Sequence, residues 1–190
     1  MKTRCAWCES TDLYRKYHDE EWGKPCYDDD LLFEFLILET NQAGLSWITI
    51  LNKRENFRKA MDGFDAEKIA QYDDAKIAEL LNNAGIIRNK LKVNAAVSNA
   101  QKFLEIKESG TSFKDYLYNF TDGNVIVNQF QTLADVPATT SVSDAMSRQM
   151  KKDGFKFVGS TVMYAHMQAT GMVNDHVVDC FRHQACIDAI

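Results

Sequence analysis

Apolar residues recur at helical spacing along this chain, and little in the sequence interrupts them. The clearest stripe consists of Val93, Ala96, Val97, Ala100, Phe103 and Leu104. Side chains three and four positions apart share one face of an α-helix. The 190 residues include two prolines and no alternating β-rich run with an Asn-Gly turn. Gly85, Gly110, Gly154 and Gly171 follow apolar segments as helix stops, and residues 112–115 and 141–144 have the pattern of helix starts. The sequence predicts an all-α fold of six to eight helices.

Length and composition predict a globular protein with one domain over residues 1–190. A chain of 190 residues forms one buried core, or at most two closely packed lobes. No apolar run approaches the roughly 20 residues of a membrane-spanning helix, and the first residues lack an apolar signal core. We therefore expect a cytoplasmic protein without membrane contact. The net charge of −5 argues against nonspecific nucleic-acid binding but is compatible with a local basic face.

Cysteine and histidine are concentrated at the two ends of the chain. In a reducing compartment, five cysteines are better interpreted as metal ligands or buried thiols than as disulfides. Cys5, His18, His176 and Cys180 make one Cys₂His₂ set, in which the last two would share a helix face. Cys5 and Cys8 form a C-x-x-C pair that offers an alternative set with the same C-terminal residues. His183 and Cys186, three positions apart, form a further pair of potential ligands.

The aromatic residues favour a pocket near the N-terminus. All three tryptophans, Trp7, Trp22 and Trp47, lie in the first quarter of the sequence. The stretch LYRKYHDEEWG (13–23) mixes aromatic and charged residues without a helical period. A site for a flat ring has this composition, with stacking faces beside hydrogen-bonding groups. The alternative is an ordinary helical core.

Several motifs together resemble the bacterial 3-methyladenine DNA glycosylase I family of the helix-hairpin-helix superfamily. They are Cys5-x-Trp7, YHDEEWG (17–23), LETNQAGLSWITIL (38–51) and GFKFVGSTVMYAHMQATGMVNDH (154–176), in the family's order over nearly the whole chain. The resemblance implies a helical glycosylase fold with one structural zinc that joins the two ends of the chain. The implied zinc ligands are Cys5, His18, His176 and Cys180, which leaves Cys8 outside the site.

The resemblance also implies an activity and a pocket. The activity is hydrolysis of the N-glycosidic bond of 3-methyladenine in alkylated double-stranded DNA, with free 3-methyladenine as product and no obligatory protein partner. Base flipping would bring the lesion into the pocket. Glu39 would be the catalytic side chain and would accept hydrogen bonds from the exocyclic amine of the base. The implied substrate-binding residues around it are Tyr17, Trp22 and Trp47, with Gln42 and Tyr14 as lesser candidates.

Three further stretches are assigned with help from the resemblance. Residues 153–160 resemble a DNA-binding hairpin with Gly154, Lys156 and Gly159, in a segment (148–160) where four basic side chains stand against one acid. Leu45 is either a wedge for the base stack or ordinary core. The basic cluster of Arg88, Lys90 and Lys92 is either a solvated helix face or a contact to the DNA backbone.

The motif V-N-D-H (173–176) bears on the mechanism. Asn174 occupies the position at which other helix-hairpin-helix glycosylases carry a catalytic aspartate, and Asp175 is displaced by one residue. No lyase lysine is implied, so we expect a monofunctional glycosylase. Two other classes remain open at this point. One is a non-enzymatic, zinc-stabilised helical DNA-binding module, and the other is a hydrolase with a catalytic zinc, which needs an open metal position.

Overall fold

The structure, a computed structural model, describes residues 2–190 and is helical almost throughout. Its α-helices are α1 (Asp12–Glu20), α2 (Asp29–Gln42), α3 (Trp47–Leu51), α4 (Arg54–Ala60), α5 (Ala66–Ile69), α6 (Asp74–Asn82), α7 (Lys90–Glu108), α8 (Phe113–Tyr118), α9 (Ser141–Lys152), α10 (Ser160–Ala169) and α11 (Phe181–Ile187). The two strands, β1 (Ile126–Val127) and β2 (Val173–Asn174), pair in parallel.

The predicted all-α class is confirmed, but the predicted number of helices is too low. Eleven α-helices form in the part of the chain that the structure describes, and α3, α4, α5, α8 and α11 have seven residues or fewer. A helix of two turns or less offers too few apolar repeats for its period to be recognised in a sequence.

Helix α2 is the centre of the fold. Its ten residues from Leu32 to Asn41 are all buried, so it is enclosed rather than amphipathic. The Asp28 side chain accepts a hydrogen bond from the backbone N–H of Leu31 and caps the helix. Helix α2 packs against α7, α8 and α10. The C-terminal turn of α2 therefore carries Glu39 into the interior of the protein.

The predicted stripe lies on α7, where Val93, Ala96, Ala100 and Phe103 are buried. Three of the predicted glycine stops, Gly110, Gly154 and Gly171, each follow a C-cap residue and have positive φ. A Cβ atom on Gly171 would lie 2.2 Å from the backbone carbon of Lys24, so only glycine fits there.

The two ends of the chain lie side by side. The backbone N–H of Phe181 donates to the carbonyl of Thr3 at 3.0 Å. A small apolar cluster of Tyr17, Phe35, Leu51 and Ala169 joins α1, α2, α3 and α10 next to this junction. In residues 2–190 no helix is long and apolar enough to cross a membrane.

Candidate active site and metal-binding cluster

The structure brings Cys5, His18, His176 and Cys180 together in one buried cluster. Their four potential ligand atoms all lie within 4.8 Å of one another. The Sγ atom of Cys180 is 3.4 Å from His18 Nε2 and 3.5 Å from His176 Nδ1, and Cys5 Sγ is 3.6 Å from the same Nδ1. Zinc–sulfur bonds of about 2.3 Å and zinc–nitrogen bonds of about 2.0 Å in a tetrahedron give ligand separations of roughly 3.5 Å. Both the donor atoms and their spacing fit a four-coordinate zinc ion.

Neighbouring groups fix the orientation of both imidazole rings. His18 Nδ1 lies 2.8 Å from Asp19 Oδ1, and Arg4 pairs with the same carboxylate. His176 Nε2 donates to the carbonyl oxygen of Trp22 at 2.9 Å. Each ring therefore directs its other nitrogen into the cluster. Histidine ligands of metal ions are commonly oriented in this way by a hydrogen bond from the nitrogen that does not bind the metal.

The alternative ligand sets do not converge in the structure. The Cys8 thiol turns away and donates to the carbonyl oxygen of Cys5 at 3.2 Å. His183 is bonded through Nε2 to the carbonyl oxygen of Asn128, and Cys186 accepts from Arg182. The four ligand atoms of the first set, Cys5, His18, His176 and Cys180, are already enough for a tetrahedral metal ion. A catalytic zinc needs an open coordination position, and this set leaves none.

One expectation about this cluster is wrong: His176 and Cys180 do not share a helix face. They lie in the irregular segment between β2 and α11, and Cys180 is the N-cap residue of α11. The Asn174 side chain shapes this segment, because it donates to the carbonyl oxygen of His183 and accepts from the backbone N–H of His176. These bonds, which span nine and two residues, hold the segment in an irregular conformation in place of the helix that the sequence suggests.

The same bonds change the interpretation of the V-N-D-H motif. Asn174 is fully buried, both ends of its amide are bonded to backbone groups, and it does not line the cavity described next. Asn174 therefore shapes the segment that carries His176 and Cys180. Asp175 does not lie on a helix either, and its buried carboxylate accepts hydrogen bonds from other side chains.

An aromatic cavity of about 200 Å³ lies beside the metal cluster. It contains all six of the predicted pocket residues, which are Tyr14, Tyr17, Trp22, Glu39, Gln42 and Trp47. Five further lining residues are Trp7, Leu133, Val136, Ala165 and Gln168. Trp7 belongs to the tryptophan group that indicates the pocket. Ala165 and Gln168 lie in the 154–176 motif but are not among the predicted pocket residues, and Leu133 and Val136 lie outside all the motifs.

Short elements hold the aromatic walls of the cavity. Helix α1 presents Tyr14 and Tyr17 one turn apart, and Trp22 follows with its backbone N–H bonded to the Tyr17 carbonyl oxygen. The Trp7 and Trp22 rings meet edge to face at 5.0 Å. The Trp22 ring also packs against His176 at 4.6 Å. The metal cluster therefore supports one wall of the cavity directly.

Two buried polar atoms in the cavity wall have no hydrogen-bond partner in the part of the chain that the structure describes. Glu39 is 3% exposed, and its Oε2 atom accepts no hydrogen bond from the described residues. The indole N–H of Trp47 is likewise buried without an acceptor. Burial raises the pKa of the Glu39 carboxyl well above its ordinary range. Because unpaired buried polar groups cost free energy, this arrangement favours a flat ligand that supplies the missing partners.

We expect Glu39→Gln to stabilise the unliganded protein increasingly as the pH rises. The unfolded carboxyl ionises near pH 4.3 (about the ordinary glutamate value), but the folded one ionises at higher pH. Between these two pKa values the folded wild type holds a proton that the unfolded chain has released, so its stability falls as the pH rises through that window. The variant lacks this loss, which amounts to about 1.4 kcal/mol for each unit of pKa elevation.

Urea unfolding from pH 4 to pH 8 measures this difference. Glu108→Gln is the matched control, because Glu108 is exposed at the end of α7. A Glu39→Gln stability gain that does not grow with pH would contradict a raised pKa at Glu39.

Residues 153–159, the predicted hairpin segment, form the turn between α9 and α10. Gly154 has φ +98°, and Lys156 is exposed while its backbone N–H and carbonyl are both bonded to the buried Asn99 amide. Gly159 is the N-cap residue of α10 and provides no side-chain cap, so the first N–H groups of this helix keep their hydrogen-bonding capacity. The four basic side chains of residues 148–160 are all exposed.

Leu45 and Lys92 differ from ordinary expectations for their residue types. Leu45 is 41% exposed on the turn after α2, which excludes the core alternative. Lys92 is buried, and its ammonium group donates to the carbonyl oxygens of Asn41 and Ala43 at 2.8 and 2.7 Å. For Lys92, both alternatives considered for the basic cluster are therefore wrong: it caps the end of α2 and holds the turn that presents Leu45. Arg88 and Lys90 are exposed.

Comparison with known proteins agrees with this geometry. The family model for methyladenine glycosylase matches residues 7–183. The chain is 47% identical to DNA-3-methyladenine glycosylase 1 of Escherichia coli strain K12, over 93% of this chain and 95% of that protein. A crystal structure of 3-methyladenine DNA glycosylase I superposes with a TM-score of 0.93 and 46% identity, covering 94% of this chain and 98% of the other.

A structure that describes 3-methyladenine recognition by 3-methyladenine DNA glycosylase I from Staphylococcus aureus is also similar. It has a TM-score of 0.90 and 34% identity and covers 94% of this chain and 95% of the other. Because the family model matches almost the whole sequence and the relatives are similar over nearly their full lengths, this chain belongs to the methyladenine glycosylase family.

Proposed function

We propose that this protein is a DNA glycosylase that removes 3-methyladenine from alkylated double-stranded DNA by hydrolysing its N-glycosidic bond. The observation that carries the proposal is the buried, unpaired Glu39 carboxyl in a cavity walled by aromatic rings. The substrate named for the relatives, 3-methyladenine, supplies what this cavity lacks: a flat cationic ring with an exocyclic amine.

Recognition of the base accounts for most of the chemistry. Methylation at N3 makes adenine cationic, so the base leaves as a neutral molecule from a bond that is already weak. A cation over the face of an aromatic ring gains about 0.5–2 kcal/mol when desolvated. The Glu39 carboxylate adds a charge interaction that neutral adenine does not offer. Both interactions act on the lesion after it has been flipped out of the duplex.

The lining of the cavity favours simple hydrolysis. Glu39 is the only acidic side chain among the described residues that line it, and no lysine is among them. A lyase reaction requires an amine that forms a Schiff base with the sugar. The protein therefore leaves an intact abasic strand. A non-enzymatic DNA-binding module, the alternative, has no use for an enclosed cavity with an unpaired carboxyl.

The DNA is held by two elements outside the cavity. The hairpin of residues 153–160 offers the free N–H groups of α10 and the Lys156 ammonium to backbone phosphates. Leu45, exposed on the turn held by Lys92, enters the base stack in place of the flipped nucleotide.

We further propose that Cys5, His18, His176 and Cys180 hold one structural zinc ion and that the chain works as a single domain. Bound zinc would fix the segment behind Trp22 and so brace one wall of the cavity. A cytoplasmic location fits this assignment, because thiol ligands stay reduced there.

The proposal is tested by chromatography of the bases that the protein releases from an alkylated duplex. Free 3-methyladenine must appear, and the strand must stay unbroken until it is treated with alkali. Absence of base release would contradict the proposed function.

Lys156→Ala is expected to weaken DNA binding and to reduce the dependence of this binding on salt concentration. A lysine that contacts one phosphate contributes about 0.9 to the slope of log K against log salt concentration. Lys107→Ala is the control, because Lys107 is exposed and pairs with Asp30, at the end of α2 opposite Glu39. Fluorescence anisotropy at several salt concentrations measures both slopes. Equal slopes for the wild type and Lys156→Ala would remove Lys156 from the phosphate contacts.

A further inference from the structure

Gln168 is a polar residue in the cavity wall that is held from behind by Asp175. Gln168 lies on α10 and lines the cavity, and its side-chain amide donates through Nε2 to Asp175 Oδ2 at 2.8 Å. The same carboxylate accepts from the Tyr164 hydroxyl at 2.6 Å and from the Asn128 amide at 2.7 Å. Asp175 is 2% exposed, so this is a buried acid with three donors around it.

This network fixes which end of the Gln168 amide is free. The Asp175 carboxyl oxygens already accept from the Tyr164 hydroxyl and the Asn128 amide, and the Gln168 NH₂ group is the third donor that faces them. The amide oxygen Oε1 of Gln168 then remains available to a ligand in the cavity. No described residue donates a hydrogen bond to it. A carboxylate behind the NH₂ group also polarises the amide and makes its oxygen a stronger acceptor.

We propose that Gln168 is a second specificity-determining residue, oriented by Asp175, and that it reads the base together with Glu39. This inference rests on the proposed function. The N–H donors of a 3-methylated adenine in DNA are the two hydrogens of its exocyclic amine. Glu39 reaches the cavity from α2 and Gln168 from α10, so two acceptors are available for the two hydrogens.

The proposal predicts that removing the Gln168 acceptor weakens the binding of a base that carries the exocyclic amine and not of one that lacks it. Gln168→Met keeps the length of the side chain but removes the acceptor. We expect it to weaken binding of free 3-methyladenine about ten-fold, the effect of one lost hydrogen bond in a closed site. Binding of 3-methylpurine, which lacks the amine, should change less than about two-fold, because it offers no hydrogen to this acceptor. Titrations followed by tryptophan fluorescence give both affinities.

Asp175 is tested as a positioning residue with a double-mutant cycle. Asp175→Asn should reduce the preference for 3-methyladenine over 3-methylpurine when Gln168 is present. In the Gln168→Met background it should have no further effect on this preference, because the oriented group is gone. A merely structural role would lower both affinities equally in both backgrounds. Thermal unfolding of every variant shows which of them are folded.

The outcomes separate this inference from the proposed function. If the wild type does not bind 3-methyladenine at all, the proposed function fails. If the wild type binds it and Gln168→Met binds it equally well, or loses both ligands alike, only the role of Gln168 is overturned. If Asp175→Asn changes the preference as much without Gln168 as with it, the positioning role of Asp175 is wrong.

Discussion

Cys180→Ser is expected to release the bound zinc and to lower the thermal unfolding temperature by roughly 10 °C or more. Metal binding is coupled to folding, so losing a thiolate ligand removes folding free energy. A loss of about 4 kcal/mol shifts the midpoint by roughly 10 °C in a chain of this size. The effect is large here because the cluster connects residues 5 and 18 with residues 176 and 180. Elemental analysis and scanning calorimetry in a reducing buffer measure both quantities.

Cys8→Ser is the matched control for this experiment. Cys8 is as buried as the cluster cysteines, but its thiol is bonded to the carbonyl oxygen of Cys5 instead of facing the cluster. We expect about one zinc per chain in this variant, as in the wild type. Zinc lost from Cys8→Ser and retained by Cys180→Ser would contradict the assigned ligands.

The local signals in the sequence predict the helices well where they are long. The apolar stripe from Val93 to Leu104 lies on α7, and Ser112 caps α8 at the expected place. Caps and apolar spacing act within a few residues, so they are visible without the fold. The cap of α9 is Thr140, one residue before the predicted start, because Thr140 and Ser143 form a reciprocal pair.

Long-range contacts decide the features that the sequence does not predict. The segment of His176 and Cys180 is irregular because β2 pairs with β1 and Asn174 bonds to the backbone of His183. Lys92 is buried because two carbonyl groups, about 50 residues away in sequence, accept from its ammonium group. Gln168 joins the cavity only through the packing of α10 beside α2. None of these partners can be identified from spacing alone.

The second large effect concerns the choice between two methylated bases. Alkylated duplex DNA contains both 3-methyladenine and 7-methylguanine, and both are cationic. Stacking against Trp47 and attraction to a carboxylate therefore do not distinguish them. The exocyclic group at position 6 distinguishes the two bases, because adenine carries an amine there and guanine carries a carbonyl.

We expect Glu39 to convert this chemical difference into selectivity. The buried Oε2 atom of Glu39 has no hydrogen-bond donor among residues 2–190, and an amine on the base would supply one. A cationic base next to Glu39 favours its ionised form, and a carbonyl facing that carboxylate would leave both acceptors unpaired in a closed site. A buried mismatch of this kind discriminates by several orders of magnitude in enzymes that read a single hydrogen-bonding group. We expect little or no release of 7-methylguanine.

The most direct test is the profile of bases that the wild-type protein releases from a duplex treated with a methylating agent. Chromatography of the released material should show 3-methyladenine freed at a rate at least about a hundred times that of 7-methylguanine, after correction for the amount of each lesion. Glu39→Gln, assayed in parallel, should release 3-methyladenine more slowly. Comparable rates for the two bases with the wild-type protein would contradict the account of Glu39 as the group that reads the base.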